Sequence, residues 1–231
     1  ISGSASAEGT QKFAKNSGVD EGNFNKFENL FLSNVGIGTY LGDPDAQTDQ
    51  LVTNAVKQSI QLGINVIDTA INYRSQKAER SVGKAISELI KDGKITRDEI
   101  FISSKNGYVT NDADVQLGFW EYVKEEYSQK GVIQEGDVTS GYHCMTAPYL
   151  SDQLERSLKN LNIECLDLMY LHNGIEGQIK DISKEKFLEN LKQVFELYEQ
   201  KRKEGKIKFY GMATWECFRV AKDNPQYLSL E

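Results

Sequence analysis

An acid, a phenol, an amine and an imidazole stand at the ends of short apolar runs in this sequence. Asp68 closes INVIDTA (64–70) and Tyr73 follows five residues later. Lys105 ends EIFISSK (99–105), and His172 ends LDLMYLH (166–172). A free phenol ionises near ~10, too high for efficient proton exchange at neutrality. A nearby ammonium favours the phenolate, and a carboxylate can hold that ammonium in place. An imidazole can hydrogen-bond a substrate carbonyl and orient it. Together the four make Tyr73 a general acid toward a carbonyl oxygen. The set holds no hydride source, so reduction requires a cofactor.

Taken singly, each residue has an ordinary reading. An Asp after a strand caps a turn, a tyrosine packs its ring and wets its hydroxyl, a lysine is solvated, and a histidine can be structural. The conjunction carries the functional reading. A hydrolase using paired carboxylates is disfavoured, because Asp68 has no evident carboxylate mate at another strand end.

The elements that must position these groups alternate. Strands are expected at VGIGTY (35–40), 64–70, 99–105, 166–172 and KIKFYGMAT (206–214). Helices are expected at 46–63, 78–90, 149–161 and 184–205. In the first, Leu51, Ala55, Val56 and Ile60 fall near one face, and Gly63 suits a cap. Ser151 or Asp152 is placed to start the third. Strands alternating with helices imply βαβ units and a parallel sheet. No G-x-G-x-x-G follows the first strand and no G-x-x-x-x-G-K-[ST] occurs, so dinucleotide-fold and P-loop readings lose their support. The expected class is α/β, a (β/α)8 TIM-type barrel with about five βα units present. In such a barrel all four residues open onto the face where active sites are built.

Two stretches depart from a regular barrel. Residues 106–148 form an insertion far longer than the usual ~2–6 residue loop, either a decorated surface loop or a substrate lid. After Trp215 there is no room for three more βα units, so a barrel over 31–231 is expected to be incomplete at its C-terminal end. Such an open sheet is expected to bind cofactor poorly and to leave two apolar edges. Residues 1–30 are expected as a polar tail.

Composition narrows the class further. The 231 residues are 39% hydrophobic with a net charge of −7, ordinary for a soluble globular domain. No apolar run approaches the ~18 residues of a membrane span. The acidic balance argues against nucleic acid or an anionic membrane as partner. Cys144, Cys165 and Cys217 are odd in number and form no C-x-x-C pair, which fits a reducing cytoplasm. With two histidines in the chain, His143-Cys144 lacks nearby help for zinc; no metal site is expected, and the pair is expected to pack near the active-site mouth. Cys165 is expected as a small buried residue.

The motifs resemble those of the aldo-keto reductase family. DTAINYR…AERSVGKAI is similar to the family signature, FISSK to its third-strand lysine motif, and LERSLKNLNIECLDLMYLHN to the helix and strand that end in its histidine. GIGTY resembles its first-strand Gly-x-Gly-Thr. The resemblance spans roughly 34–215. It implies an NADPH-dependent reductase of small-molecule aldehydes or ketones, reversible toward alcohol oxidation, with NAD as the other dinucleotide. Tyr73 would be the proton donor, Lys105 and Asp68 would tune it, and His172 would position the carbonyl. Gly38, Thr39, Tyr40, Asp68 and Thr214 would face the cofactor. The family's fifth strand commonly ends in Gly-Val-Ser-Asn. Here it ends in GMAT, where Ala213 has no hydroxyl and Thr214 keeps one. A non-catalytic relative, serving as cofactor sensor or partner subunit, is the alternative. The intact tetrad argues against it.

Overall fold

Ser6 accepts from the Gly9 N–H and so starts helix α1 (Ala7–Asn16). A hairpin follows, β1 (Phe24–Phe27) paired antiparallel with β2 (Leu30–Ser33). In this computed structural model, which describes residues 1–229, the first thirty residues are therefore not a tail. Phe13, Ala14, Phe24 and Leu30 are buried, and Phe13 meets Phe24 edge-on at 6.4 Å. The segment reads as polar because the apolar residues that anchor it are few. Phe27 packs edge-on against Phe101 and Phe209 at 6.3 and 5.1 Å. The hairpin thus lies against the N-terminal ends of the strands that carry Phe101 and Phe209, away from the strand ends that carry the tetrad.

The parallel sheet runs β3 (Ile37–Gly38), β4 (Val66–Asp68), β5 (Phe101–Asn106), β6 (Leu166–His172) and β7 (Ile207–Ala213), each strand paired with the next. The register aligns Gly38 with Asp68, Asp68 with Ser103, Lys105 with Tyr170, and His172 with Ala213. Sequence order and spatial order coincide, as helical crossovers between neighbours require. The first strand is shorter than VGIGTY promised. Ile67, Ile102, Met169, Leu171 and Ile207 are buried on this sheet.

The crossover helices are α2 (Ala46–Gln61), α3 (Lys77–Lys91), α5 (Ala147–Leu161) and α7 (Lys184–Lys203). Two shorter helices, α4 (Phe119–Val123) and α6 (Gly174–Gln178), lie between them. Leu51 and Ala55 of α2 face solvent. The buried stripe is Thr53, Val56 and Ile60, because Thr53 satisfies its hydroxyl on the Asp49 carbonyl one turn back. Gly63 does adopt a positive φ of 96° behind that helix. Helix α5 begins earlier than expected, at a Thr146 cap with Pro148 in its first turn, so Ser151 and Asp152 are interior. Helix α3 approaches α5 closely. A Cβ at Gly83 would stand 2.6 Å from the Asn160 carbonyl oxygen.

The 106–148 insertion packs into the same core as the sheet and its helices, through Tyr122, Tyr127, Ile133 and Met145. Its ends pair through a bridge between Tyr108 and His143, with Cys144 N–H bonded to the Gly107 carbonyl at 2.8 Å. Helix α4 passes into one π-turn at Lys124–Ser128, and Tyr122 and Tyr127 are buried beneath it. Arg80 ties the insertion to α3 through Asp112 and Asp114. No helix of the described residues is long and apolar enough to cross a membrane.

Candidate active site

The chemistry collects where β4, β5 and β6 end. Lys105 comes up from β5 almost fully covered, 6% exposed. Its ammonium donates to Asp68 Oδ2 at 2.6 Å, to the Thr69 carbonyl at 2.8 Å and to the Tyr73 hydroxyl at 3.2 Å. All three donors of the amine are used, and the charge also lies 4.6 Å from the Tyr73 ring centroid. The second oxygen of Asp68 accepts from the Ser103 hydroxyl at 2.7 Å. Ser103 is the residue paired with Asp68 across the strands. Ser103 thereby anchors one carboxylate oxygen while the other holds the amine.

Tyr73 sits in a loop held by unusual backbone. The three residues after it, Arg74, Ser75 and Gln76, all have positive φ, 52°, 50° and 75°. For non-glycine residues such a left-handed run costs roughly 1–2 kcal/mol per residue, so other contacts must hold it. Arg74 Nε donates to the Asp43 carbonyl at 2.9 Å, and its guanidinium pairs with Asp49. The Ser75 carbonyl accepts from Ala113 N–H at 3.2 Å, and Gln76 Nε2 donates to the Asn111 carbonyl at 3.1 Å. Helix α2 and the insertion therefore clamp the turn that presents the phenol.

His172 ends β6 with its ring edge-on to Tyr73 at 5.7 Å and to Tyr108 at 5.1 Å. Burial, with the Lys105 ammonium nearby, pushes its pKa down to about 3, so the ring is neutral at ordinary pH. Its Nδ1 lies 3.2 Å from Asn72 Oδ1. Below it, His143 of the insertion places Nε2 2.8 Å from the His172 backbone carbonyl. Gln178 Nε2 lies 3.0 Å from His143 Nδ1. The amide N–H can only donate, so Nδ1 accepts and the His143 proton is on Nε2, where it bonds His172. Burial lowers the His143 pKa to about 4. Glycine makes the slot. A Cβ at Gly107 (φ 125°) would stand 2.5 Å from His143 Nε2, and one at Gly177 would stand 2.6 Å from Cγ.

The residues expected to face a cofactor are more varied. Nothing lies within 4 Å of a Cβ built on Gly38, so space is open beside Asp68. Thr39 is buried and turns its hydroxyl to Thr69 at 2.9 Å. Tyr40 is exposed and meets the Tyr73 ring at 5.0 Å. Thr214 follows β7, but its hydroxyl donates to the Glu176 carboxylate and accepts from Cys217 N–H. Glu176 also takes the Trp215 and Glu216 N–H groups. The hydroxyl of a residue expected to face the cofactor is thus spent on the turn. Cys165 is buried as expected. Among the described residues no cluster of three or more metal-ligating side chains occurs.

Sequence reasoning missed Asn72, Ser103, Tyr108 and the part played by His143. Two of these carried a readable signal. Asn72 directly precedes the phenol, and Ser103 stands two residues before the lysine on the same strand face. His143 and Tyr108 meet the site only through the closure of a long insertion.

The aldo/keto reductase family model matches residues 34–224. An uncharacterised oxidoreductase of Bacillus subtilis, YqkF, is 26% identical over 80% of this chain and 46% of its own length. An aldo-keto reductase structure from Bacillus halodurans, in its holo form, superposes with a TM-score of 0.55 at 22% identity, covering 83% of this chain and 50% of that one. An aldo/keto reductase from Klebsiella pneumoniae, in complex with NADP and acetate, gives a TM-score of 0.50 at 22% identity, covering 84% and 52%. The chain spans about half the length of the relatives it matches.

Proposed function

Because this chain belongs to the aldo/keto reductase family, we propose that it carries the proton-transfer side of a reductase of small aldehydes or ketones. The observation that carries this reading is the Lys105 ammonium, shared between the Asp68 carboxylate and the Tyr73 hydroxyl at 2.6 and 3.2 Å. The ammonium meets the phenol oxygen directly, so negative charge left there as the proton departs faces a fixed positive partner. Tyr73 gives that proton to the substrate oxygen as the carbonyl becomes an alkoxide. Lys105, held in place by Asp68, borders the oxygen of Tyr73 on which that charge is left. His172, neutral and wedged between Tyr73 and Tyr108, borders the substrate oxygen and orients it.

None of these side chains can supply two electrons, so the reaction needs a nicotinamide dinucleotide. When bound, that cofactor contributes the hydride that reduces the carbonyl carbon. The residues present fit its reacting end. Open space lies at Gly38 beside Asp68, and the donor set lacks only the hydride. Gly38, Thr39, Tyr40 and Asp68 would border it, while Thr214 would contribute through the position of its strand end rather than through its hydroxyl. The Klebsiella relative binds NADP, and NADP is the dinucleotide we assign. Small carbonyl compounds are the substrates we assign.

The test is loss of NADPH absorbance when the purified native protein is mixed with a small aldehyde. Oxidation that depends on both reactants is the expected result. NADPH left unconsumed across a panel of aldehydes and ketones would overturn the reading and favour a non-catalytic cofactor sensor.

A further inference from the structure

The turn that presents Tyr73 is strained, and strained backbone persists only where its surroundings over-determine it. Those surroundings meet on Gln76. It takes a φ of 75°, and its N–H donates to the Ile71 carbonyl at 3.0 Å. That bond closes the turn in whose middle Tyr73 lies. The Gln76 side chain is 2% exposed and reaches the insertion and α5. Nε2 donates to the Asn111 carbonyl at 3.1 Å and to the Tyr122 hydroxyl at 3.3 Å, and Oε1 accepts from Asn160 Nδ2 at 3.2 Å. The partners settle which way both amides point. A backbone carbonyl only accepts, so Nε2 must be the end of Gln76 that meets Asn111. Arg80 Nε only donates, and it meets Asn160 Oδ1 at 3.1 Å. Arg80 also pairs with Asp112 and Asp114, which completes a polar ring through α3, α5 and the insertion.

We propose that Gln76 is a positioning residue for Tyr73, and that the insertion acts as its buttress and not as a substrate lid. The phenol must stand within hydrogen-bond reach of the substrate oxygen, yet the turn beneath it has unfavourable dihedrals. Asn111 and Tyr122 hold Gln76 from the insertion, and Ala113 N–H holds the neighbouring Ser75 carbonyl at 3.2 Å. A lid has to open to admit substrate. Tyr122 is 2% exposed and belongs to the same core as the sheet, so lifting this part of the insertion would expose the core.

The kinetic consequence rests on the carbonyl-reductase reading. A support that places the acid acts on the chemical step, whereas a lid acts on substrate capture. Misplacing a reacting group by about an ångström costs roughly 10²-fold in rate.

Gln76→Gly removes the side chain and leaves a residue that adopts positive φ freely, so the backbone keeps its path. It should lower kcat for NADPH-dependent aldehyde reduction roughly 10²-fold, with the dinucleotide Kd and the aldehyde KM unchanged. Tyr122→Phe should lower kcat severalfold in the parent and have no further effect in the Gln76→Gly background, because it acts through Gln76. In a 13C-tyrosine spectrum, with Tyr73 assigned by its loss in Tyr73→Phe, the Tyr73 ring signal should move in both single variants. A raised aldehyde KM at unchanged kcat would mark the insertion as a lid and overturn the proposal. Equal effects of Tyr122→Phe in the two backgrounds would overturn it as well. Should Gln76→Gly not fold, Tyr122→Phe decides alone, and an unmoved Tyr73 signal with parental kcat sinks the idea. If the parent reduces no carbonyl compound, the reductase reading fails and the spectra decide the rest: a moved Tyr73 signal upholds the positioning role, and an unmoved one ends it.

Discussion

The buried pair of histidines makes acid stability the sharpest quantitative consequence of the fold. His143 is fully buried and its pKa is lowered by that burial to about 4. In the unfolded chain a histidine titrates near ~6.5. The unfolded state therefore binds a proton first as pH falls. The stability tied to a neutral His143 is complete above about pH 6.5 and drains away as pH descends toward 4. A separation of roughly 2.5 units is worth about 3 kcal/mol at ~1.4 kcal/mol per unit. That is a large share of the ~5–15 kcal/mol that holds a domain together. His143→Gln isolates the effect. Its side-chain N–H can still reach the His172 carbonyl, but it cannot titrate, and every carboxylate contribution is common to both proteins. Urea unfolding at pH 7, 6, 5 and 4 should show the parent losing about 3 kcal/mol more than the variant across that range. Curves that stay parallel from pH 7 to 4 would refute the burial argument. They would mean that His143 is wet or already charged in the folded protein.

Three further perturbations probe the scaffold. Gly177→Ala drives a methyl to 2.6 Å from the His143 ring. It should cost about 1–3 kcal/mol, read as a lower urea midpoint together with moved His143 ring signals. Arg97→Met leaves Asp167, 1% exposed, with the Ala5 and Ile102 N–H groups as its remaining partners among the described residues. About 3–5 kcal/mol should be lost, and adding Asp167→Leu should restore much of it; a single variant as stable as the parent would contradict the buried pair. Phe13→Ala should cost about 3–5 kcal/mol and expose the first thirty residues to limited proteolysis, whereas unchanged stability would mean they do not pack as described.

The sheet was legible because its strands are apolar on both faces and its helices keep their period. Five runs, at 35–40, 64–70, 99–105, 166–172 and 206–214, each became a parallel strand. The residues of the tetrad were legible for a related reason. A polar group that closes an apolar strand has to emerge at the sheet's end, so Asp68, Lys105 and His172 announce their own position. The N-terminal segment hid its structure because a handful of residues, Phe13, Ala14, Phe24 and Leu30, suffices to anchor it. Composition averages such residues away. The stripe on α2 was misplaced by counting Leu51 and Ala55, when Thr53 could be buried through a local hydrogen bond. The parts played by Asn72, Tyr108 and His143 depend on contacts made only after loop closure, and spacing along the chain carries no trace of those. Thr214 was found at its strand end. That its hydroxyl was already engaged by Glu176 of α6 could not be read from GMAT.

The central claim is that the Tyr73 phenol, coupled to Lys105, delivers the proton to the substrate oxygen. Comparing NADPH oxidation by Tyr73→Phe and the parent protein, with dinucleotide affinity measured on both, tests it most directly. Removing the hydroxyl should lower kcat by roughly 10²–10⁴-fold and leave the dinucleotide Kd unchanged. Turnover equal to the parent's would contradict the assignment of the acid.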